Sequence, residues 1–388
     1  MDYLGISQER LENAGGYWTA REISQQPTLW PVIEGLIAAD AAASRAFLNP
    51  LMRRSDLRIV LTGAGTSAFV GECVAPALAR KSGLTVEAVP TTDLVGSPMN
   101  WLKPRVPTLL VSFARSGNSP ESVAALQLAE QRVQDCHHLI FTCNTEGALY
   151  RLGRNTRNTR IVLLPEETND RGFAMTSSFT GMLLAAAMTF DLIAFDAEPV
   201  AQLARSAGEV LAGTLPLIRN LARERFERIV YLGSSALKGL SREAALKTLE
   251  LSDGQVVAMS DTPLGFRHGP KTIINGRSLV VVLLCNDPYT RRYEVDLLNE
   301  LRADGVARRV LALTAQPMEE LRHTDDVVLS GLAAASDLAL CLPYAVFAQS
   351  LAFTQSLTLG LRPDVPNAGG TVNRVVQGVT IYPLDPAT

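Results

Sequence analysis

The chain repeats itself. Arg58-Ile-Val-Leu-Thr-Gly63 returns as Arg228-Ile-Val-Tyr-Leu-Gly233, and Thr108-Leu-Leu-Val-Ser112 returns as Ser278-Leu-Val-Val-Val282, both at an offset of 170 residues. Leu139-Ile-Phe-Thr142 returns as Leu311-Ala-Leu-Thr314 at an offset of 172. One apolar strand resembles another by chance. Three in the same order at nearly one offset argue for two copies of one domain. A chain of 388 residues is then filled by two units of ordinary domain size, with a segment before them and a tail after.

Each copy alternates short apolar runs with amphipathic stretches. In the first, Ile59–Thr62, Leu109–Phe113, Leu139–Thr142 and Ile161–Leu164 read as strands; in the second, Ile229–Leu232, Leu279–Leu284, Val310–Leu313 and Val327–Leu329 do. Continuous apolar strands separated by helices specify a parallel sheet covered on both faces. The expected fold is α/β, two tandem domains, each a three-layer αβα arrangement with a mostly parallel, flavodoxin-like sheet. Thr19-Ala-Arg-Glu22 fits a capping box opening a helical arm, Gln26-Pro27 is expected to end that helix, and a second is expected from about Thr28 to Phe47. The boundaries drawn are an arm over 1–50, a first domain over 51–198, a linker helix and second domain over 199–365, and a tail over 366–388. Phe195–Pro199 begins the connection between copies, and Val200–Asn220 reads as the linker helix.

Composition excludes several classes. Hydrophobic residues are 47% of the chain and charged residues 19%, too apolar for a disordered protein. The net charge of -3 gives no electrostatic footprint for nucleic acid or an anionic membrane. The most apolar stretches, Gly181–Phe190 and Leu338–Ala348, fall short of the roughly 20 residues a bilayer span needs and read as core helices. The first residues carry no basic start followed by an apolar block, so no secretory signal is read. Five scattered cysteines without a CxxC pair, and four histidines without HExxH spacing, predict reduced thiols, a cytoplasmic protein and no metal centre.

Two loops of the first copy can hold a ligand. Gly63-Ala-Gly65-Thr66-Ser67 follows the first strand, and its glycines let backbone amides approach an anion. It also fits GxGxxA, with Glu87 as a ribose acid, so a nicotinamide oxidoreductase is a rival reading. A tight strand–helix turn alone would use the same glycines. Ala114-Arg115-Ser116-Gly-Asn118-Ser119-Pro-Glu121 places hydroxyls, a glycine and an arginine at a helix start, with Ser119 as N-cap and Pro120 at the first helical position. Ser116 and Gly117 are not needed for capping. Two hydroxyl-rich loops at neighbouring strand ends favour a sugar phosphate over a dinucleotide. The second copy has Tyr289 in place of Ser119 and no Ser-x-x-Ser loop.

Acid–base candidates come from the second copy. Arg242–Leu251 reads as an amphipathic helix with Lys247 and Glu250 on one face; spacing alone also fits a surface ion pair. Gly265-Phe-Arg-His268-Gly-Pro-Lys271 holds His268 in a loop made rigid by Gly269 and Pro270. A carboxylate and an imidazole are what aldose–ketose chemistry requires. His137 and His138 look structural, and His323, in a charged stretch, looks solvated.

These residues resemble the sugar isomerase (SIS) domain family. Thr19-Ala-Arg-Glu-Ile23, Gln25-Gln-Pro27, Arg115-Ser-Gly-Asn-Ser-Pro-Glu-Ser122 and Val372-Asn-Arg-Val-Val-Gln-Gly-Val-Thr-Ile-Tyr382 resemble its galactosamine-6-phosphate deaminase/isomerase branch, also labelled tagatose-6-phosphate ketose/aldose isomerase. The resemblance implies conversion of galactosamine 6-phosphate and water to tagatose 6-phosphate and ammonia in amino sugar breakdown, without a cofactor. It implies Gly65, Thr66, Ser67, Arg115, Ser116, Asn118 and Ser119 as sugar-phosphate ligands, Glu250 as the base at C2, His268 in ring opening, and Lys247 and Thr176 as further members. It also implies a homodimer or larger homo-oligomer with a site shared between subunits, and no nucleic-acid or membrane partner. The chain departs from the wider family in having Ala114 where Ser is frequent, and a tail without the lysine that closes glucosamine-6-phosphate synthase. Rivals are isomerisation without ammonia release, glucosamine-6-phosphate deamination, and a non-catalytic sugar-phosphate sensor.

Overall fold

A computed structural model describes residues 1–193, 199–317, 325–376 and 378–384; His323 and residues 195–198 lie outside the described residues. The chain opens with β1 (Asp2–Tyr3) paired antiparallel to β2 (Ile6–Ser7), then α1 (Gln8–Ala14) and α2 (Tyr17–Met52). The first copy follows as β3 (Arg58–Thr62), α3 (Thr66–Ser82), β4 (Thr85–Ala88), α4 (Thr91–Gly96), α5 (Pro98–Trp101), β5 (Thr108–Ala114), α6 (Pro120–Arg132), β6 (Cys136–Thr142), α7 (Ala148–Asn155) and β7 (Thr159–Leu163). Helices α8 (Ser177–Thr189), α9 (Val200–Gly213) and α10 (Leu215–Arg223) precede the second copy. That copy contains β8 (Arg228–Leu232), α11 (Ala236–Leu251), β9 (Val257–Asp261), α12 (Pro263–Phe266), β10 (Ser278–Leu283), α13 (Pro288–Asp304), β11 (Arg309–Thr314), β12 (Val327–Val328) and α14 (Asp337–Thr358).

The repeat is structural. Sheet one has the order β4-β3-β5-β6-β7 and sheet two β9-β8-β10-β11-β12, which is 2-1-3-4-5 in both, and every pairing is parallel. Register repeats too: Arg58 faces Thr108 as Arg228 faces Ser278. Even a tether recurs, since Arg58 donates to the Trp101 carbonyl and Arg228 to that of Ile273. The central strands β3, β5 and β10 are buried along their whole length, as a sheet covered on both faces demands. Val60, Leu110, Ala125 and Ala129 pack α6 on sheet one, and Val230, Val280, Leu297 and Leu301 pack α13 on sheet two. Each such Val or Leu contributes about 1.5–3 kcal/mol on burial, and each Ala about 0.8 kcal/mol.

Two compact units emerge. One gathers Met1–Pro31, Asp170–Thr180 and Ile193–Ala368 and contains sheet two; the other gathers Val32–Asn169, Gly181–Leu192 and Gly369–Thr388 and contains sheet one. The stretch drawn as an arm over 1–50 thus contributes to both. Helix α14 is long and apolar enough to cross a bilayer, but 89% of its apolar window is buried; it packs on α9, α10 and α11 as a core helix.

Three local expectations are corrected. Pro27 does not end the arm helix, which runs unbroken from Tyr17 to Met52. A proline there removes the amide that Ile23 would otherwise receive, and the Gln26 side chain supplies the missing donor, Nε2 to the Ile23 carbonyl at 3.0 Å. Thr19 and Glu22 do not form a capping box. Asp364 caps the helix instead, accepting from the amides of Trp18 and Thr19 and from Thr19 Oγ1. Glu22 accepts from the amides of Arg171 and Gly172, and burial, reinforced by Asp170, pushes its pKa up to about 8. The expected linker helix breaks at Thr214, because Pro216 in the first turn starts a new helix.

Candidate active site

In a 2-1-3-4-5 sheet, ligands bind beyond the carboxyl ends of the strands where the strand order reverses. In sheet one that place lies between β3 and β5, and both candidate loops leave from it. Gly63 must be glycine: a Cβ there would sit 2.6 Å from the Ser67 carbonyl carbon. Gly65 adopts φ +54, ψ −127 and opens α3 without a side-chain cap of its own, and the Ser67 and Ala68 amides turn back onto the Ala64 and Gly65 carbonyls. Thr66 and Ser67 form the buried first turn.

The second loop is braced from within. Ser119 is the N-cap of α6, its Oγ accepting from the Ser122 amide and lying 2.6 Å from Ser122 Oγ. Ser116 Oγ accepts from the Asn118 amide, and Asn118 Oδ1 accepts from the Ala148 amide at 3.0 Å. Asn118 thus shapes the loop. Arg115 is 5% exposed. Its Nη2 donates to the Arg374 carbonyl at 2.9 Å, while Nε and Nη1 are buried without a hydrogen-bond partner among the described residues. The hydroxyls of Thr62, Thr91 and Ser112 are likewise buried and unpartnered. Thr62 and Ser112 face each other in register at the strand ends, and the Thr91 amide reaches the Gly63 carbonyl. Each unmet group costs about 1–3 kcal/mol, more for a charge. Sequence reasoning missed Thr62, Thr91 and Ser112; the only signal was a hydroxyl set in an otherwise apolar strand for Thr62 and Ser112, and Thr91 opens α4. Glu87, on β4, is held by Arg58 of β3, so the ribose acid of the dinucleotide reading is already engaged.

The second group of candidates sits on the other unit. Lys247 is fully buried on α11, bonded to Glu250 and 3.6 Å from Glu243 Oε1. Glu243 is buried, whereas the Glu250 side chain is 25% exposed. This is a buried ammonium between two carboxylates, unlike a surface pair, and it fixes the rotamer of the one carboxylate that reaches solvent. His268 is exposed. Thr262 caps α12 below it, Phe266 is buried, and Gly269 takes φ +116. Its neighbours are clamped onto α13: Arg267 to Asp296 and Glu300 at 3.0 and 2.8 Å, Lys271 to Glu300 and Asp304. The turn is thereby fastened on both sides of an imidazole that projects outward. No hydrogen bond joins Glu250 and His268 among the described residues. Thr176 is committed elsewhere: with Ser177 and Ser178 it surrounds the buried Asp170 carboxylate, which receives three amides and three hydroxyls at the start of α8.

Tandem 2-1-3-4-5 sheets with a hydroxyl-lined, anion-seeking switch point define a class of sugar-phosphate proteins, and the SIS domain family matches residues 51–192. Over 95% of its length the chain is 47% identical to D-galactosamine-6-phosphate deaminase AgaS of Escherichia coli, covering 97% of that protein. A protein of the same name from Shewanella sp. is 43% identical over 98% of the chain and 96% of the relative. The crystal structure of tagatose-6-phosphate ketose/aldose isomerase from Escherichia coli superposes with a TM-score of 0.86 at 44% identity, covering 95% of this chain and 97% of that one. The chain belongs to the SIS-domain family, in its galactosamine-6-phosphate deaminase branch.

Proposed function

We propose that the protein is an enzyme converting D-galactosamine 6-phosphate and water to D-tagatose 6-phosphate and ammonia. The observation that carries this reading is the Arg115 guanidinium, enclosed at the sheet-one switch point with two nitrogens unmet, together with the unmet hydroxyls of Thr62 and Ser112 on the neighbouring strands and of Thr91 at the start of α4. Such a group calls for an anion, and a phosphate monoester has the oxygens to satisfy it. The names of the relatives supply the sugar.

The phosphate is held by the first-turn amides and hydroxyls of Thr66 and Ser67, by Ser116 and Ser119, and by Arg115. Gly65 and Asn118 shape the loops that present them. His268 moves a proton between the ring oxygen and the C1 hydroxyl, opening the hemiacetal to the aldehyde. Glu250, set by Lys247, removes the proton on C2 and returns it to C1. The aldehyde oxygen becomes the C1 hydroxyl and the amine becomes a C2 imine. Water adds at C2, and ammonia leaves with the C2 ketone in place. The reading places the enzyme in the cytoplasm, in amino sugar breakdown, as a homodimer in which His268 serves the neighbouring subunit's sugar. Its functional division is the one drawn from the sequence, with phosphate binding in residues 51–198 and acid–base groups in 199–365.

Purified protein given galactosamine 6-phosphate should release one ammonia per sugar, and glucosamine 6-phosphate should be the poorer substrate. Absence of ammonia would leave the isomerase reading in possession. Glu250→Gln should lower kcat by about 10²–10⁴-fold with KM little changed; full activity would remove Glu250 from the mechanism.

A further inference from the structure

A second cluster of reactive side chains lies at the opposite end of the strands of sheet one, on β6. Cys136 is the first residue of β6 and His138 stands two residues on, so their side chains share a face of the sheet. Glu130, in the last turn of α6, overlies that face. One ligand atom from each of these three residues lies within 4.8 Å of the other two. Cys136 and His138 are buried, and Glu130 leads to solvent. His138 Nε2 meets Glu130 Oε1 at 2.6 Å. Its Nδ1 is enclosed and has no hydrogen-bond partner among the described residues. A fully buried imidazole with one idle nitrogen beside a thiol and a carboxylate has more binding capacity than a His–Glu hydrogen bond uses.

We propose that Cys136, His138 and Glu130 form a binding site for a borderline divalent cation of the zinc type. One sulfur, one imidazole nitrogen and one carboxylate oxygen make the mixed set that zinc favours. Bonds of about 2.0–2.3 Å at a tetrahedral ion place ligand atoms roughly 3.3–3.8 Å apart, so the thiol closes on the ion by up to about 1 Å while the His138–Glu130 pair, 2.6 Å apart, opens to admit it. The thiol proton leaves to solvent, and water takes the fourth position on the exposed side. Asp135 is not the fourth ligand, because it already accepts from Arg54 at 2.7 Å and lies 3.0 Å from His137 Nε2. The site lies at the amino end of β6, away from the loops at the carboxyl ends, so its ion takes no part in the sugar chemistry. It clips the last turn of α6 to the sheet, on the helix whose first turn carries the Ser119 loop.

The test uses the reduced full-length protein and Co²⁺ as the spectroscopic stand-in for zinc. One equivalent should produce a thiolate-to-cobalt charge-transfer band and the visible bands of four-coordinate cobalt, both displaced by one equivalent of Zn²⁺. Cys136→Ser should abolish the charge-transfer band. Glu130→Gln alters an exposed side chain, should keep the melting temperature of the metal-free protein, and should weaken cobalt binding about tenfold or more. Zn²⁺ should raise the wild-type melting temperature, raise that of Glu130→Gln less at the same concentration, and leave that of Cys136→Ser least moved. No thiolate band in the wild type, a band that survives in Cys136→Ser, or an unchanged affinity in Glu130→Gln would overturn the site.

Discussion

The two sheets share one order and one register, yet their switch points have opposite chemistry. At the β3/β5 point of sheet one the unmet groups are donors: the Arg115 guanidinium and three hydroxyls. At the β8/β10 point of sheet two the protein has filled the place with its own carboxylates. Glu294 accepts from the Cys285 amide at 2.7 Å, Asp337 from the Asn286 amide at 2.6 Å, and Asp287 caps α13 through the Thr290 amide. Cys285 stands where the repeat offset places the counterpart of Arg115. Carboxylates of the chain itself thus stand as acceptors in the second copy, while the first leaves its side-chain donors unmet.

That contrast can be attacked in four ways. The largest effect concerns pH. The sheet-two unit encloses Glu22, whose pKa rises from 4.5 to about 8 through burial and Asp170, and Glu294, also raised by burial. A carboxyl raised in the folded state stabilises fully below its unfolded value and loses that contribution as pH climbs through the folded one. Denaturation should show stability falling by up to a few kcal/mol between about pH 4.5 and 8, and Glu22→Gln should flatten most of the slope. A slope unchanged in that variant breaks the assignment. Next, Arg115→Met should weaken inorganic phosphate or sugar-phosphate binding about 10–100-fold without lowering the melting temperature, because it removes a buried, half-met charge. Calorimetry and a thermal melt decide it together.

Smaller effects sharpen the other side. Glu294→Leu strands the Cys285 amide and should cost about 1–3 kcal/mol in chemical denaturation. The smallest concerns backbone. Gly65 and Ser235 open α3 and α11 in nearly one conformation, φ +54, ψ −127 and φ +51, ψ −126. Serine is strained there and glycine is not, so Ser235→Gly should gain about 1 kcal/mol and Gly65→Ala should lose as much. Equal stabilities would mean that the strain is relieved locally.

Local chemistry was legible and tertiary chemistry was not. The runs of Val, Ile and Leu located eight of the ten strands of the two sheets, and Ser119-Pro120 announced α6. Missed were β4 and β9, short and only half-buried, whose mixed residues carry no period. The passage of α2 through Pro27 depends on a side chain folding back on its own helix, and its cap comes from Asp364, which no window of sequence contains. In the site, loop composition pointed to Thr66, Ser67, Ser116 and Ser119. Whether Lys247 is a surface charge or a buried one is decided by packing, as is the enclosure of Arg115. The Cys136–His138 spacing matches no metal motif because its third member comes from a helix.

The carboxylates on the amides of sheet two also have a historical meaning. Glu294, Asp337 and Asp287 support one loop from positions scattered over about fifty residues. Removing any one alone lowers stability by an amount comparable to a good part of a domain's margin, while an imported phosphate could bind only after several had gone. Intermediates on the way back would be less stable and still inactive. A loop supported in this way is therefore hard to reopen, because each step towards an imported ligand lowers stability before any new contact replaces it.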